Sequence, residues 1–318
     1  MQVFVTGASG FLGRAVTARL RADGHAVRGV DRVAADGVVA GDVTVRGPWQ
    51  SAVDGCDVVV HTAAVVSNAV GADEQWRTNV LGTRRVLDAA ARAGARRFLH
   101  LSSVRAFGDS GYPDGADETW PVRPDGNAYV DTKVASEQVV LQAHAAGEVA
   151  ATVVRPGDVY GPGSRPWTLL PLEAAKAGQL VLPAHGRGVF TPVYVDDLVD
   201  GLVRAATDER AVGQVLTLTG PRDVTCAEFF GHYARMVGRP LRTVPTPVAL
   251  ALAGVVGRAE RLRGRPSEVN AATMRYLART GGYSRAKAER VLGWVPTVEL
   301  DEGMARTEQW LREQGLFG

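Results

Sequence analysis

The stretch Val3-Phe4-Val5-Thr6-Gly7-Ala8-Ser9-Gly10-Phe11-Leu12-Gly13 decides the reading of this chain. A short β-branched and aromatic run stops at Gly7, and a helical pattern starts near Gly10. Spaced as Gly-x-x-Gly-x-x-Gly, the glycines have separate tasks. Gly7 permits a tight turn, Gly10 lets backbone approach a diphosphate, and Gly13 lets the helix pack close to the strand. A diphosphate laid there meets free amides at the positive end of a helix. Asp31 closes a second strand, which is the context that turns a glycine triplet into a dinucleotide signature.

Outward from that motif, strand-like and helix-like segments alternate. Strands are expected at 2–6, 26–30, 38–41, 57–61, 96–101 and 149–154, and helices at 11–23, 47–53, 73–93 and 127–146. The pattern predicts an α/β fold: a doubly wound, Rossmann-type parallel sheet with helices on both faces. The turn-rich run Gly161-Pro162-Gly163-Ser164-Arg165-Pro166 marks a boundary. Beyond it helical segments dominate, near 167–178, 225–237, 246–262, 267–277, 284–291 and 301–314. The expected organisation is a dinucleotide-binding domain over 1–161, rejoined by about 189–219. A smaller, mostly helical substrate lobe is then made of 162–188 and 220–318.

With 318 residues the chain can bury a large core, and 46% hydrophobic against 22% charged residues is ordinary for a globular protein. A net charge of +2 gives no case for nucleic acid. The local basic excess, Arg258, Arg261, Arg263 and Arg265, reads as a solvated face. Cys56 and Cys226 lie far apart and suggest neither disulfide nor metal site, which fits a reducing cytoplasm. The apolar run opens at residue 2 without a basic leader, so no secretory signal is expected. Val244–Val256 is apolar but broken by prolines and shorter than the about 20 residues a membrane span needs. No stable membrane insertion is expected. The reading of that segment stays open between pocket wall, lobe core and peripheral membrane contact.

Tyr129-Val130-Asp131-Thr132-Lys133 opens a predicted helix, and a four-residue step puts Tyr129 and Lys133 on one face. A tyrosine that ionises near ~10 is a poor base at neutral pH, and a nearby ammonium favours its phenolate. Ser102 and Ser103 end the 96–101 strand, where a hydroxyl can donate to an oxygen on which charge builds.

With these residues the chain resembles the extended short-chain dehydrogenase/reductases, within the NAD-dependent epimerase/dehydratase superfamily. The resemblance implies that Gly7, Ser9, Gly10, Phe11, Leu12, Gly13 and Asp31 hold the dinucleotide. It adds Asp42 and Val43 at the adenine, Thr62, Ala63 and Ala64 beside the cofactor, and Asn79 on the next helix. Pro156 and Val159 follow at a strand end near the nicotinamide, and Ser102 is a second candidate donor. By the same resemblance Tyr129 exchanges a proton with the substrate, Lys133 holds the nicotinamide ribose and depresses the tyrosine pKa, and Ser103 orients the reacting oxygen. Asp31 favours NAD by repelling a 2′-phosphate, while Arg32 next door leaves NADP open. Family members often dimerise through paired helices, so a homodimer through 73–93 and 127–146 is expected.

Relatives acting on nucleotide-diphosphate sugars carry an asparagine where this chain has Asp158 and an arginine where it has Phe190. Arg187 is a candidate substitute for the latter. Both departures turn the expectation toward the branch of 3β-hydroxysteroid dehydrogenases, dihydroflavonol reductases and ketone reductases. Residues 192–198, 283–288 and 292–296 resemble that branch. The expected activity is therefore interconversion of a secondary alcohol and a ketone on a mid-sized, fairly apolar small molecule, with segments 167–172 and 244–256 as candidate pocket walls. A nucleotide-sugar epimerase or dehydratase with transient hydride transfer is the alternative, and a non-catalytic cofactor sensor is a third reading.

Overall fold

Residues 1–264 and 267–317 are described by a computed structural model. Its centre is a seven-stranded, wholly parallel sheet of β1 (Gln2–Thr6), β2 (Ala26–Asp31), β3 (Val38–Ala40), β4 (Val58–His61), β5 (Arg97–Leu101), β6 (Ala150–Pro156) and a last strand at Val215–Leu218. From one edge the order is Val215–Leu218, β6, β5, β4, β1, β2, β3. Thr6 pairs with Val30 on one side and His61 on the other, and His61 with His100. Strand order reverses between β1 and β4, and the crevice at their carboxyl ends is where such sheets bind ligands.

Successive strand residues point to opposite faces, and two hydrophobic clusters follow from that alternation. Val3, Val5, Val58, Val60, Leu99 and Leu101 face one way, against Val16 and Leu20 of helix α1 (Phe11–Ala22) and Leu198 and Leu202 of helix Val195–Thr207. Phe4, Val59 and Phe98 face the other way. They meet Val86 and Leu87 on a helical run, and Val140 and Ala143 of α4 (Ala128–Ala145). The helical run is α2 (Ala72–Gln75), a π-helical segment Trp76–Gly82, then α3 (Thr83–Arg92). All four residues of β4 are buried, as expected for a strand covered on both faces. The first cluster runs on into Phe229, Tyr233, Trp294, Met304 and Leu311, so the C-terminal helices share a core with the sheet.

Several boundaries differ from expectation. Only Val215–Leu218 rejoins the main sheet. Residues 189–194, within the part expected to rejoin it, split instead: Val189–Phe190 pairs antiparallel with Val224–Thr225, and Pro192–Tyr194 pairs parallel with Asp158–Tyr160. Pairings of two or three residues carry too few ladder bonds to announce their partner in a sequence. The predicted helix 47–53 is a 3₁₀ turn, Pro48–Val53.

Of the basic cluster, Arg258 and Arg263 are exposed, while Arg265 and the Arg261 side chain lie outside the described residues. Both cysteines are buried and free. Among the described residues no helix is long and apolar enough to cross a membrane.

Candidate active site

Gly7 follows β1 with φ +67, a conformation that L side chains rarely adopt. A Cβ on Gly13 would lie 2.0 Å from the Gly7 carbonyl oxygen. This contact is why α1 can begin so close to the strand. Gly10 caps α1 without any side-chain acceptor, and its own amide bonds Gly7 O at 2.9 Å. The first-turn amides therefore stay available for an anion. Phe11 and Leu12 pack half-buried on the core beneath.

Asp31 sits across the loop, its carboxylate accepting from the Ser9 amide at 2.9 Å and the Arg32 amide at 2.7 Å. One bond per oxygen leaves lone pairs for ribose hydroxyls. Arg32 itself is exposed. Asp42 accepts from the Thr44 amide at 2.7 Å, and Val43 is buried. Thr62 donates to Thr6 O at 2.6 Å, Ala63 N lies 3.3 Å from Thr6 Oγ1, and Ala64 follows half-buried. Asn79, inside the π-helical segment, exchanges two hydrogen bonds with Val65 and reaches Thr132 on α4 at 3.0 Å. It thereby fixes the β4 loop against the helix that carries Tyr129. Single π turns are a common device at functional sites. A glycine cradle, an open helix end and a carboxylate at the tip of β2 fit a dinucleotide.

Behind the crevice His61 bridges Thr6 at 2.7 Å and Thr83 at 2.9 Å and stacks on His100 at 5.6 Å. Burial, then the Lys133 charge, pull His61 from 6.5 down to about 3, and His100 is pulled well below its ordinary value by burial, Lys133 and His61. The unfolded chain thus takes up protons between those limits that the native state refuses. Stability must fall as pH drops through that window. Replacing His61→Gln is expected to flatten this acid limb in urea unfolding series. An unchanged slope would contradict the assignment.

Ser103, Tyr129 and Lys133 converge at the end of β5. Asn127 caps α4 through its side chain at 2.9 Å from the Tyr129 amide, presenting the tyrosine on the first turn. All three side chains are buried. Burial raises the Tyr129 phenol above its ordinary range, opposed by a hydrogen bond from Ser103 and by the Arg105 charge. The Lys133 ammonium donates to Leu101 O at 2.7 Å and lies 5.9 Å from the tyrosine ring centre. Burial brings it down to about 8, despite Glu137. A second cation stands slightly nearer the ring and favours the phenolate as well. It belongs to Arg105, which sequence spacing does not single out.

Ser102 differs from expectation as well. Its hydroxyl donates to Glu137, which also takes both forks of Arg155 at 2.9 and 2.7 Å. The proton offered to a substrate is already committed inside the protein. Pro156 ends β6 beyond Arg155, and Val159 is buried in the next strand.

Three ion pairs among the described residues have both side chains less than a tenth exposed: Arg105–Asp109, Glu137–Arg155 and Asp158–Arg279. The Arg105 and Arg279 guanidiniums both lie over the Tyr276 ring, and Glu137 follows Lys133 by one turn of α4. The Asp158 carboxylate accepts from Tyr276 at 2.6 Å, Arg279 at 2.5 Å and the Thr191 amide at 3.1 Å. Its charge is spent on these internal partners. Phe190 is fully buried against Phe229 at 4.2 Å and Trp167 at 5.0 Å, a core residue with the Arg279 guanidinium over its ring at 5.6 Å.

A cavity of about 670 Å³ opens beside the start of α4, between Asn68, Asp109, Asn127 and the helix Ala271–Tyr276. Its walls mix amides and carboxylates with Val70, Ala128 and Ala278. The expected apolar walls are elsewhere. Of 244–256 only Thr246 lines it, and none of 167–172 does, since Leu172 and the Trp167 ring pack into lobe core. Asn68 is a further residue that sequence reasoning misses. Its side chain joins Arg105, Asn127 and Thr273, and its carbonyl accepts from Asn270. Contacts from three distant segments leave no local pattern.

The sequence profile of the NAD-dependent epimerase/dehydratase family matches residues 3–218. Sterol demethylase protein B of Methylococcus capsulatus is 33% identical over the full length of both chains. The 3β-hydroxysteroid dehydrogenase/Δ5→4-isomerase of Mycobacterium tuberculosis is 29% identical, with 95% of this chain and 88% of that one aligned. Among solved structures, MoeE5 in complex with UDP-glucose and NAD superposes with a TM-score of 0.80 at 25% identity, covering 99% of each chain. With more than half of its length matched by the family profile, and its sheet order and glycine loop built as described, this chain belongs to the NAD-dependent epimerase/dehydratase family.

Proposed function

We propose that this protein is an oxidoreductase that interconverts a secondary alcohol and a ketone with net hydride transfer to or from NAD. The carrying observation is the fate of the two positions where nucleotide-sugar enzymes resemble each other. Asp158 is locked to Arg279 and Tyr276, and Phe190 lies in an aromatic core, so neither offers a donor to a diphosphate. The steroid-acting relative supports the same reading. UDP-glucose in the MoeE5 complex keeps a sugar epimerase or dehydratase as the second reading.

The nicotinamide supplies the hydride acceptor or donor. The chain's own residues do the rest. The open amides of α1 and the Asp31 carboxylate hold the dinucleotide, Ser103 orients the substrate oxygen, and Tyr129 moves a proton at that oxygen. Raised by burial, the Tyr129 phenol is protonated at neutral pH and suited to proton donation. The cavity beside α4 suits a mid-sized molecule with both polar and apolar surface, the β-keto-acid and polyketide-like part of the range. Residues 162–188 and 220–318 act as the substrate lobe over the Rossmann part. Exposed Trp76 and Leu81 on the run through α2 and α3 offer a face for a homodimer, and two free buried cysteines suit the cytoplasm.

A panel of ketones, β-keto acids, sterols and nucleotide sugars, read by nicotinamide absorbance and product analysis, tests the proposal. Absorbance change in proportion to product supports it. A nucleotide sugar converted with no net change would replace it by the second reading. NAD is expected to be preferred over NADP, because the Asp31 carboxylate repels a 2′-phosphate. Asp31→Ser should reduce that preference by tenfold or so, a roughly 1.4 kcal/mol effect measured as the ratio of kcat/KM values.

A further inference from the structure

Arg105 occupies the 3₁₀ turn Val104–Phe107, two residues beyond Ser103. Gly108, at φ +86, then bends the chain so that Asp109 folds back beneath the guanidinium. Asp109 takes it as a fork, Nε at 2.8 Å and Nη2 at 2.5 Å, while Nη1 donates to Asn68 at 2.9 Å. The guanidinium carbon lies 5.4 Å from the centre of the Tyr129 ring and 4.8 Å from that of Tyr276. A buried, always-charged plane is thus wedged between the phenol ring of the site and an aromatic ring of the lobe. Cation–ring contacts of this kind strengthen when desolvated.

We propose that Arg105, clamped by Asp109 and Asn68, is the positioning residue that fixes the Tyr129 ring and sets how readily its phenol yields a proton. The proposal rests on Tyr129 being the proton carrier of the reaction. Lys133 is a weaker candidate for the role. Its ammonium is committed to Leu101 O, stands farther from the ring, and is half neutral near pH 8. Arg105 keeps its charge, because the Asp109 hydrogen bonds and charge outweigh its burial.

The charged and titratable groups packed around Tyr129 come from four parts of the chain. Lys133 lies on its own helix, Ser103, Arg105 and Asp109 on the turn after β5, and Asp158 on the strand after β6. Tyr276 and Arg279 come from the lobe. Arg105 lowers the proton affinity of the phenol, whereas Asp109 and Asp158 raise it. Arg105 and Asp109 therefore form a pair whose two halves act on Tyr129 in opposite directions. A merely structural role has no such signature.

The test places 3,5-difluorotyrosine at position 129 of the full-length chain and follows its ionisation by fluorine NMR. The expected result is a midpoint higher by about half a pH unit or more in Arg105→Met and lower in Asp109→Asn. Arg105→Lys, which keeps a charge but loses the planar fork, should fall between Arg105→Met and the unsubstituted protein. The midpoint of the kcat profile for alcohol oxidation should move in the same order. Unmoved midpoints, or shifts of the same sign in both variants, would overturn the proposal. If Arg105→Met fails to fold, Arg105→Lys and Asp109→Asn still decide it. The fluorine titration needs no substrate, so missing ketone turnover would refute the proposed activity without touching this result.

Discussion

Tyr129→Phe is expected to lower kcat by about 10²–10⁴-fold, the usual share of a positioned proton donor, while dinucleotide binding stays within a few-fold. The asymmetry follows from where the hydroxyl sits. The Tyr129 ring is held by the Asn127-capped first turn of α4 and by the Arg105 guanidinium over its face, and neither contact uses the phenolic oxygen. Removing that oxygen leaves the ring in place and deletes the transferable proton together with the Ser103 hydrogen bond. The glycine loop and Asp31, at the tips of β1 and β2, are untouched. Single-turnover rates and fluorescence titration with NAD separate the two effects. Turnover within tenfold of the parent would remove Tyr129 from the chemistry.

Glu137→Ala is expected to cost about 3–5 kcal/mol of stability. The residue is fully buried and holds three groups at once: the Arg155 fork, Ser102 and, through charge, Lys133. Its loss leaves Arg155 as an uncompensated buried cation beneath the site, over the Phe107 ring at 4.6 Å. Glu302→Ala removes a surface partner of Arg306 and should cost at most about 1 kcal/mol. Urea unfolding of the two variants side by side checks the contrast. A Glu137→Ala loss no larger than the Glu302→Ala loss would mean that the buried pair contributes nothing beyond a solvated one.

Much of the nucleotide half could be read without coordinates. Gly7, Gly13 and Asp31 are legible because a tight turn, a close helix and a strand-tip carboxylate each demand one residue type at one spacing. Tyr129 and Lys133 are legible because four residues make one turn of helix. The substrate half was harder. Composition leaves segment 244–256 open between pocket wall, lobe core and membrane contact; in the fold Val248, Leu252 and Val255 are exposed and, of the segment, only Thr246 reaches the cavity. Composition says that a side chain avoids water, but not which surface it meets.

The sequence by itself determined the alternating architecture, the dinucleotide crevice and the one-turn spacing of the phenol and the ammonium, since all three rest on local periodicity and backbone geometry. Only the tertiary structure decided that Arg105 joins Lys133 beside Tyr129, that Asp158 is neutralised by Arg279 from 121 residues away, and that Ser102 gives its proton to Glu137. Those outcomes depend on desolvation. A buried charge must find its partner wherever the fold brings one, and that distance leaves no trace in local spacing.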